Sequence, residues 1–209
     1  MDGFERTAAH LGLSRRALFA MTGALLSIAK SCPAQADEPL KFGLTPVFLT
    51  NDIELLAKLK TYLSRQTGRE VQLVQRRTYE EITTLLLSGQ LTAAWICGYP
   101  LVQYAEQLAL VAVPLWNNQP LYSSYLIVPS GRTAAGIDDL KGDLHAFSDP
   151  NSNSGFLVTA SLLAERGLRP EQFFRQAIFT YGHRNVVRAV ASGLAQSGSV
   201  DGYVWEVMA

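Results

Sequence analysis

Cysteine, net charge and long apolar runs are all scarce in this chain. Its 209 residues include 2 cysteines, so the disulfide framework of a small secreted domain is excluded. The 18 basic and 18 acidic residues balance to a formal net charge of 0, and no run of either sign occurs. A nucleic-acid partner is therefore not expected, because phosphate backbones are bound by clustered Lys and Arg. A hydrophobic content of 48% instead suits a packed globular protein.

Motifs of the common enzyme classes are also missing. The chain has no Gly-x-Ser-x-Gly elbow, no phosphate-binding loop ending in Lys-Ser or Lys-Thr, no His-Glu-x-x-His and no Cys-x-x-Cys. We therefore expect a protein that is not an enzyme and that needs no cofactor. The enzymatic alternative is a nucleophilic Cys97 with His183 as its base. No histidine lies at ligand spacing from Cys97, so a structural metal is not expected.

The start of the chain is typical of an export signal. Arg15 and Arg16 precede an apolar run over residues 17–29, and Ala-Gln-Ala at 34–36 gives the small-x-small pattern of a signal-peptidase site. We predict a twin-arginine-type signal peptide over residues 1–36, cleaved near Ala36, and a periplasmic mature chain. The apolar run is shorter than the ~20 residues of a bilayer span, so no membrane insertion of the mature chain is expected. Cleavage would remove Cys32 and leave one thiol.

The rest of the chain alternates short β-rich runs with helical periodicity, which predicts an α/β fold. Pro129, Gly131 and Gly136 interrupt the pattern, and we expect a first lobe over residues 37–128 and a second over 129–209. The predicted strands are Leu40–Leu44, Val71–Val74, Ala93–Ile96, Leu110–Leu115, Tyr125–Val128, Leu144–Phe147, Ala177–Tyr181 and Gly202–Glu206. The predicted helices are Ile53–Leu63 with Gly68 as its stop, Glu80–Ser88, Leu101–Gln107, Leu157–Glu165, a short one starting at Pro170, and Val186–Leu194.

The stretch from Asp149 to Gly155, Asp-Pro-Asn-Ser-Asn-Ser-Gly, places small polar side chains directly before a predicted helix. A helix begins with about four unpaired N–H groups and roughly half a positive charge, so these side chains can complete a socket for an oxyanion. The same residue types also serve as ordinary N-caps, and that alternative stays open. His183 stands at a second turn from a strand into a helix, the kind of place where ligands bind in open α/β sheets.

Several motifs together resemble one family of binding proteins. They are Tyr79 after the second strand, the turn Ala-Trp-Ile-Cys-Gly-Tyr-Pro at 94–100, the stretch 149–155, His183, and Val-Asp-Gly at 200–202. With the leader, they resemble the phosphonate-binding protein family, whose members are periplasmic receptors of ABC importers. The likeness extends from about Leu40 to Trp205.

The resemblance implies a two-lobed periplasmic-binding-protein fold of the α/β class, with mixed sheets, crossover helices and a hinge. The implied ligand-binding residues hold the phosphoryl oxygens (Ser152, Asn153, Ser154 and His183), wall the cleft (Tyr79 and Tyr99) and lie near the ligand's other end (Asp201). Two features depart from the family pattern. Asn153 stands where the family usually has threonine, which suggests a changed ligand. The chain also ends at Ala209 where related proteins continue, so we expect a fold truncated at the C-terminus with an incomplete first lobe.

These observations predict the periplasmic substrate-binding component of an ABC importer for phosphate, phosphite or phosphonate, which closes on its ligand by hinge motion. Its partners would be the small oxyanion and the transporter permease. An alternative is a periplasmic sensor that binds an arsenite-like, thiol-seeking ligand through Cys97 and partners a membrane kinase. Tyr79 and Tyr99 can also be packing residues, and Asp201 can be a turn cap. These readings stay open at the level of sequence.

Overall fold

The computed structural model describes residues 38–48 and 52–208. The predicted signal peptide over residues 1–36, with Cys32, lies outside this part of the chain. Two β-sheets and the helices around them make up the described residues.

The first sheet has three parallel strands in the order β2-β1-β3. They are β1 (Leu40–Leu44), β2 (Val71–Gln75) and β3 (Ala93–Trp95). Parallel neighbours require crossover connections, which are supplied by α1 (Ile53–Thr67) and α2 (Tyr79–Leu87). A left-handed glycine, Gly68 with a φ of 67°, ends α1 as its sequence predicts. The carboxyl ends of the three strands therefore meet at one edge.

The second sheet has four strands in the order β4-β7-β5-β6, and β4 alone runs antiparallel to its neighbour. They are β4 (Ser124–Ile127), β5 (Leu144–Phe147), β6 (Gln176–Phe179) and β7 (Ser197–Asp201). The remaining helices are α3 (Gly98–Gln103), α4 (Val158–Ala164), α5 (Pro170–Phe173), α6 (His183–Ala191) and α7 (Gly202–Met208). A 3₁₀ turn (Ile137–Leu140) precedes β5, and a π turn (Asn153–Leu157) precedes α4.

Both faces of the second sheet are covered. Ala146 of β5 belongs to a buried cluster with Val186 and Val190 of α6. The next residue, Phe147, belongs to a second cluster with Leu163 of α4. Alternate residues of a strand point to opposite faces, so β5 lies between two apolar layers, as a near-continuous apolar strand should.

The first sheet is covered less completely. Helix α1 contains no buried residue, and Ile53 at its start is 74% exposed. The prediction of a strand over Leu110–Leu115 is wrong, because residues 109–115 pair with no strand that the structure describes. Their backbone groups form no backbone hydrogen bond to any described residue. Val111 is 88% exposed.

Two further predictions need correction. The predicted strand Gly202–Glu206 is the helix α7, because Asp201 Oδ1 accepts the N–H groups of Tyr203 and Val204 and so caps a helix there. The predicted lobe boundary after residue 128 separates β4 from its sheet, because β4 pairs with β7. The other predicted strands and helices are present, with ends shifted by a few residues.

Candidate functional site

Polar side chains from both sheets meet beyond the carboxyl ends of their strands. Most of the residues predicted from the sequence are among them, joined by hydrogen bonds or close contacts. We call six side chains the central cluster: Tyr79, Cys97, Tyr122, Ser154, His183 and Asp201. Tyr79 begins α2, Cys97 precedes α3, His183 begins α6 and Asp201 ends β7.

His183 is buried, and both of its ring nitrogens are occupied. The backbone N–H of Asp201 donates to Nδ1 at 3.1 Å, and Nε2 lies 3.3 Å from Tyr79 Oη. Because a backbone N–H can only donate, Nδ1 carries no proton, and the neutral ring holds its proton on Nε2. Burial lowers the pKa of His183 to about 4, which agrees with a neutral ring.

The roles of His183 and Tyr79 therefore differ from the simplest expectation. Since Nε2–H donates to Tyr79 Oη, the imidazole of His183 keeps no proton for a ligand in this arrangement. The Tyr79 hydroxyl proton is the one directed to another acceptor. Anion binding by His183 and by Tyr79 stays a prediction.

Asp149 joins the two sheets, a role that its sequence position did not predict. Its Oδ2 accepts the N–H of Tyr79 at the start of α2, at 3.1 Å, and its Oδ1 accepts the N–H of Asn151 at 2.8 Å. Burial raises the pKa of Asp149, and the two backbone N–H groups oppose that rise. A carboxylate is well placed at a helix N-terminus, where unpaired N–H groups concentrate positive partial charge.

The predicted socket has two different parts. Ser152 Oγ accepts the N–H of Gly155 at 3.0 Å and serves as the cap of the π turn. Ser154 Oγ points the other way and donates to Asp201 Oδ2 at 3.4 Å. The capping interpretation thus fits Ser152, while Ser154 faces the central cluster.

The π turn makes this division possible. Leu157 N–H reaches back five residues to the carbonyl of Ser152 at 3.0 Å, so this turn is wider than an α-helical turn. Gly155 fits it because a Cβ there would lie 1.8 Å from Ser148 Oγ and 2.9 Å from His183 Cε1. Wide turns of this type are frequent at functional sites.

Cys97 lies in the site rather than in the core. Its Sγ accepts the backbone N–H of Asn153 at 3.1 Å, and the residue is half-buried. The backbone N–H of Asn153 therefore points towards the central cluster as a hydrogen-bond donor. The side chain of Asn153 forms no hydrogen bond with a described residue.

Tyr122 is the site residue that sequence reasoning missed. Its hydroxyl interacts with Ser154, Cys97 and Asp201, although the residue as a whole is 45% exposed. Burial of the hydroxyl, then the nearby Cys97 and Asp201, raise the pKa of Tyr122. The only signal in the sequence was its position just before β4.

The electrostatics of the central cluster come from neutral groups and one carboxyl. Burial raises the pKa of Asp201 to about 6, and the N–H groups of Val204 and Tyr203 oppose that rise. Burial also raises the pKa of Tyr79 well above its usual range. Among the described residues, no Lys or Arg contacts the cluster; Arg184, which follows His183, pairs with Asp52 at 3.4 Å.

Tyr99, like Ser152, is a predicted residue whose side chain the structure does not join to the cluster. It lies in the first turn of α3, half-buried, and makes no side-chain hydrogen bond to any residue the structure describes. Its expected place in the wall of a cleft stays a prediction.

Two cavities among the described residues lie away from the central cluster. One of about 490 Å³ lies between α1 and β2, and one of about 530 Å³ is lined by β4 and the start of α4. Neither includes a residue of the central cluster, whose Tyr79, Ser154 and His183 are buried. Residues 38–48 and 52–208 contain no group of three His, Cys, Asp or Glu that could hold a metal ion. No helix in these ranges is both long and apolar enough to cross a bilayer.

Comparison with known proteins connects this geometry to one family. A family model described as ABC transporter, phosphonate, periplasmic substrate-binding protein matches residues 42–209. The chain belongs to this family. Its members are periplasmic substrate-binding proteins rather than enzymes.

The chain covers only part of the length of a curated relative. The phosphate-import protein PhnD of Mycolicibacterium smegmatis is 28% identical over 148 residues, which is 65% of this chain and 46% of that protein. The chain thus spans about half the length of this curated relative.

Similar solved structures show the fold of this chain. PhnD1 from Prochlorococcus marinus, in complex with methylphosphonate, has a TM-score of 0.70 at 23% identity, covering 80% of this chain and 65% of that chain. A binding-protein component of a Pseudomonas aeruginosa ABC phosphonate transporter has a TM-score of 0.70 at 20% identity, covering 82% and 60%. At these identities the likeness concerns the fold alone, and it confirms the expected two-lobed periplasmic-binding-protein fold with mixed sheets.

Proposed function

We propose that this chain binds a small oxyanion, phosphate, phosphite or phosphonate, as the periplasmic substrate-binding component of an ABC importer. Membership of the phosphonate-binding family supports the class of protein. The observation that carries the ligand class is the convergence of neutral donors at the central cluster: the hydroxyls of Tyr79, Tyr122 and Ser154, and the amide N–H of Asn153. Preorganised neutral donors of this kind can bind an anion through hydrogen bonds, without a positively charged side chain.

Binding by hinge closure is part of this proposal. Polar contacts link the two sheets and their helices; among them are Tyr79 N–H to Asp149, Tyr79 Oη to His183, Cys97 Sγ to the backbone N–H of Asn153, and Arg184 to Asp52. A ligand can reach buried Tyr79 and Ser154 only if these contacts open. Closure is then favoured by ligand contacts that the open state cannot make.

The proposal is tested by calorimetric titration of the chain, purified without phosphate, with phosphate, phosphite, methylphosphonate and aminoethylphosphonate. We expect saturable binding of at least one of them and no product formation. A Ser130→Ala variant, changed at an exposed loop position, is the matched control for serine substitutions in the site. Absence of heat and of any thermal shift with every phosphorus oxyanion would contradict the proposed function.

Closure has its own test. In an Asp149→Asn variant the cross-sheet hydrogen bond from Tyr79 N–H loses its charged acceptor, so the open form gains population. We expect affinity to fall about tenfold for every bound oxyanion alike. Small-angle scattering at saturating ligand should show a larger ligand-induced decrease in radius of gyration than in the wild type, because the free variant is more open. Unequal losses among the oxyanions would instead assign Asp149 to ligand contact.

A second candidate ligand class rests on Cys97. Its Sγ lies in the central cluster beside the Asn153 N–H, so a thiol-seeking, arsenite-like ligand could bind there, with a membrane sensor kinase as partner. Arsenite binding that disappears in Cys97→Ser would favour this role. Phosphorus-oxyanion binding that persists in the same variant would favour import.

Export by the twin-arginine route and docking to a permease remain part of the proposal. The family is periplasmic, while the leader lies outside the described residues. N-terminal sequencing of the periplasmic form should find Asp37 first, and replacement of Arg15 and Arg16 by Lys should retain the precursor in the cytoplasm.

A further inference from the structure

Strand β4 borders an open groove at the edge of the second sheet. It pairs with β7 on one side and with no described strand on the other. The cavity of about 530 Å³ is lined by every residue from 124 to 128. Because neighbouring residues of a strand point to opposite faces, a cavity that touches all of them follows the strand's free edge. Its other lining residues include Val158 and Leu162 of α4 and Trp205 of α7.

This groove and the chain around β4 carry no charged side chain. None of the described residues that line the cavity is Asp, Glu, Lys or Arg. Residues 107–131 contain none of these four residue types either. Natural proteins commonly protect an edge strand from pairing with another chain by charged side chains, lysine above all. The edge of β4 lacks this protection, so it is suited to an uncharged, apolar strand from a partner.

The chain itself contains a segment of that kind, residues 109–113. These residues lie in neither a helix nor a turn, and their backbone groups have no backbone partner among the described residues. Leu110 is 62% exposed and Val113 is 50% exposed. As a strand, the segment would place leucine and alanine on one face and two valines on the other. Apolar side chains on both faces are typical of a strand that lies between two covering layers.

The segment does not continue as a hairpin with the residues before β4 in its own copy. Trp116 and Gln119 exchange both backbone hydrogen bonds, at 2.9 Å each, around a two-residue turn with positive φ angles. The next hydrogen-bonded pair of such a ladder would be Pro114 and Leu121. Proline has no N–H, so this pair is incomplete and the ladder ends at the bridge. The segment's own copy therefore supplies no ladder for it.

The end of the segment and the groove lie side by side. Trp116 Nε1–H donates to Glu206 Oε2 at 2.7 Å, and the Trp116 ring packs edge-on against Tyr203 of α7. The other carboxylate oxygen of Glu206 accepts the hydroxyl of Tyr125 at 3.0 Å, and Tyr125 lines the groove. One face of the molecule thus contains both an unpaired strand and an unpaired edge. A two-fold symmetric interface requires such a self-complementary face.

We propose that this face is an interface between two copies of the chain, in which residues 109–113 of each copy pair with the free edge of β4 in the other. The exchange is reciprocal, so the dimer closes and leaves neither β4 edge open. Each Leu or Val side chain that becomes buried removes roughly 60–120 Å² of surface from water. A segment and a groove on each copy together approach the ~800 Å² per partner of a stable interface. The dimer does not depend on the ligand proposed above.

The first test is sedimentation velocity of the chain from about 1 to about 200 μM, where we expect a monomer–dimer equilibrium. Val111→Lys in the segment and Leu162→Lys at the groove should each give a monomer, because either lysine would be buried without a partner. Leu194→Lys makes the same change at an exposed position outside both surfaces and should keep the wild-type dimer. A wild type that is monomeric over the whole range would overturn the proposal.

Mixing the two monomeric variants tests which surfaces pair. The Leu162→Lys chain keeps an intact segment, and the Val111→Lys chain keeps an intact groove, so a mixed dimer retains one of the two pairings. We therefore expect dimers to reappear in an equimolar mixture, with weaker affinity than in the wild type. If Leu162→Lys alone stays dimeric while Val111→Lys does not, the segments pair with each other and the groove is not the site.

Hydrogen exchange on the wild type needs no variant. Backbone amides of residues 109–113 should exchange slowly at high protein concentration and fast after dilution, because they are hydrogen-bonded only in the dimer. Amides of β4 that point away from β7 should change in the same way. Amides of β5, which lies inside the sheet, should show no dependence on concentration and serve as the control. Exchange of residues 109–113 that is independent of concentration would contradict the pairing.

Discussion

Ser152 and Ser154 have the same side chain and lie two positions apart, yet they have different roles in the structure. Ser152 Oγ closes the π turn on Gly155 N–H, while Ser154 Oγ reaches Asp201 in the central cluster. The sequence predicted both as anion donors or both as caps. It could not separate them, because the outcome depends on a turn whose width is set by tertiary packing.

This division predicts two distinct phenotypes. Ser152→Ala should lower the free energy of unfolding by about 0.5 to 2 kcal/mol, the usual value of an N-cap, with little change in ligand affinity. Ser154→Ala should weaken oxyanion binding by about 1 to 3 kcal/mol with a smaller change in stability. Urea unfolding and calorimetry on the two variants check both halves, and the reverse pattern would assign the binding role to Ser152.

His145 is a buried histidine that the site does not use. It lies in β5 between Ser197 and Ser199, each at 2.8 Å from one ring nitrogen, and it stacks on Phe174 at 4.1 Å. Burial lowers the pKa of His145 to about 3. The folded ring therefore stays neutral under conditions in which the unfolded ring takes up a proton.

Because the pKa of His145 is lowered in the folded state, its contribution to the stability of the protein should decrease as the pH falls. The contribution of His145 is fully present above its unfolded pKa, about 6.5, and is lost as the pH falls from there towards about 3. His183 acts in the same direction down to about 4, whereas Asp201, with its raised pKa, acts in the opposite direction below about 6. His145→Gln should leave a less stable protein with a smaller loss between about pH 7 and about pH 4.5. Urea midpoints at both pH values measure it, and an unchanged difference would contradict the assignment.

At the scale of elements, the sequence predicted most of the helices and strands because periodicity and caps agree there. Gly68 at the end of α1 and the apolar run of β5 are examples. It failed at residues 202–206, where an apolar alternation looked like a strand. The deciding interaction is the cap from Asp201, whose side chain can equally serve a loop or a binding site.

The π turn gives a prediction for Gly155. An alanine there would place its Cβ 1.8 Å from Ser148 Oγ and 2.7 Å from Ser148 Cβ, with His183 also in contact. We expect Gly155→Ala to cost about 1 to 3 kcal/mol or more in stability and to weaken ligand binding through displaced His183. Gly131→Ala is the matched control, because a Cβ at that position meets nothing within 4 Å. Equal melting temperatures for the two variants would show that the turn relaxes freely.

At the scale of the whole molecule, the two sheets were predictable and their boundary was not. Alternating strands and helices predicted an α/β chain, but adjacency in sequence assigned β4 to the first lobe. The antiparallel pairing of β4 with β7 joins residues about 75 positions apart, and no local pattern encodes it. The contact between Asp149 and Tyr79, 70 residues apart, escaped prediction for the same reason.

The exposed segment 109–115 has a consequence for association. Its side chains are apolar, and its backbone groups have no backbone partner among the described residues. Such a segment is a template for strand pairing with a second chain. Val111→Lys should reduce self-association in sedimentation velocity and lower binding of a hydrophobic dye. Leu194→Lys, also at an exposed apolar position, should change neither, and equal effects of both would contradict a role of this segment.

Among the described residues, the central cluster presents dipoles rather than cations to an incoming ligand. Dipole fields fade faster with distance than charge fields, so the protein attracts its anion only at short range. The bimolecular association rate should therefore change little between low and high ionic strength, whereas a site lined by arginine would slow markedly as salt is added. A receptor built this way would capture its ligand at the same speed in fresh water and in brine.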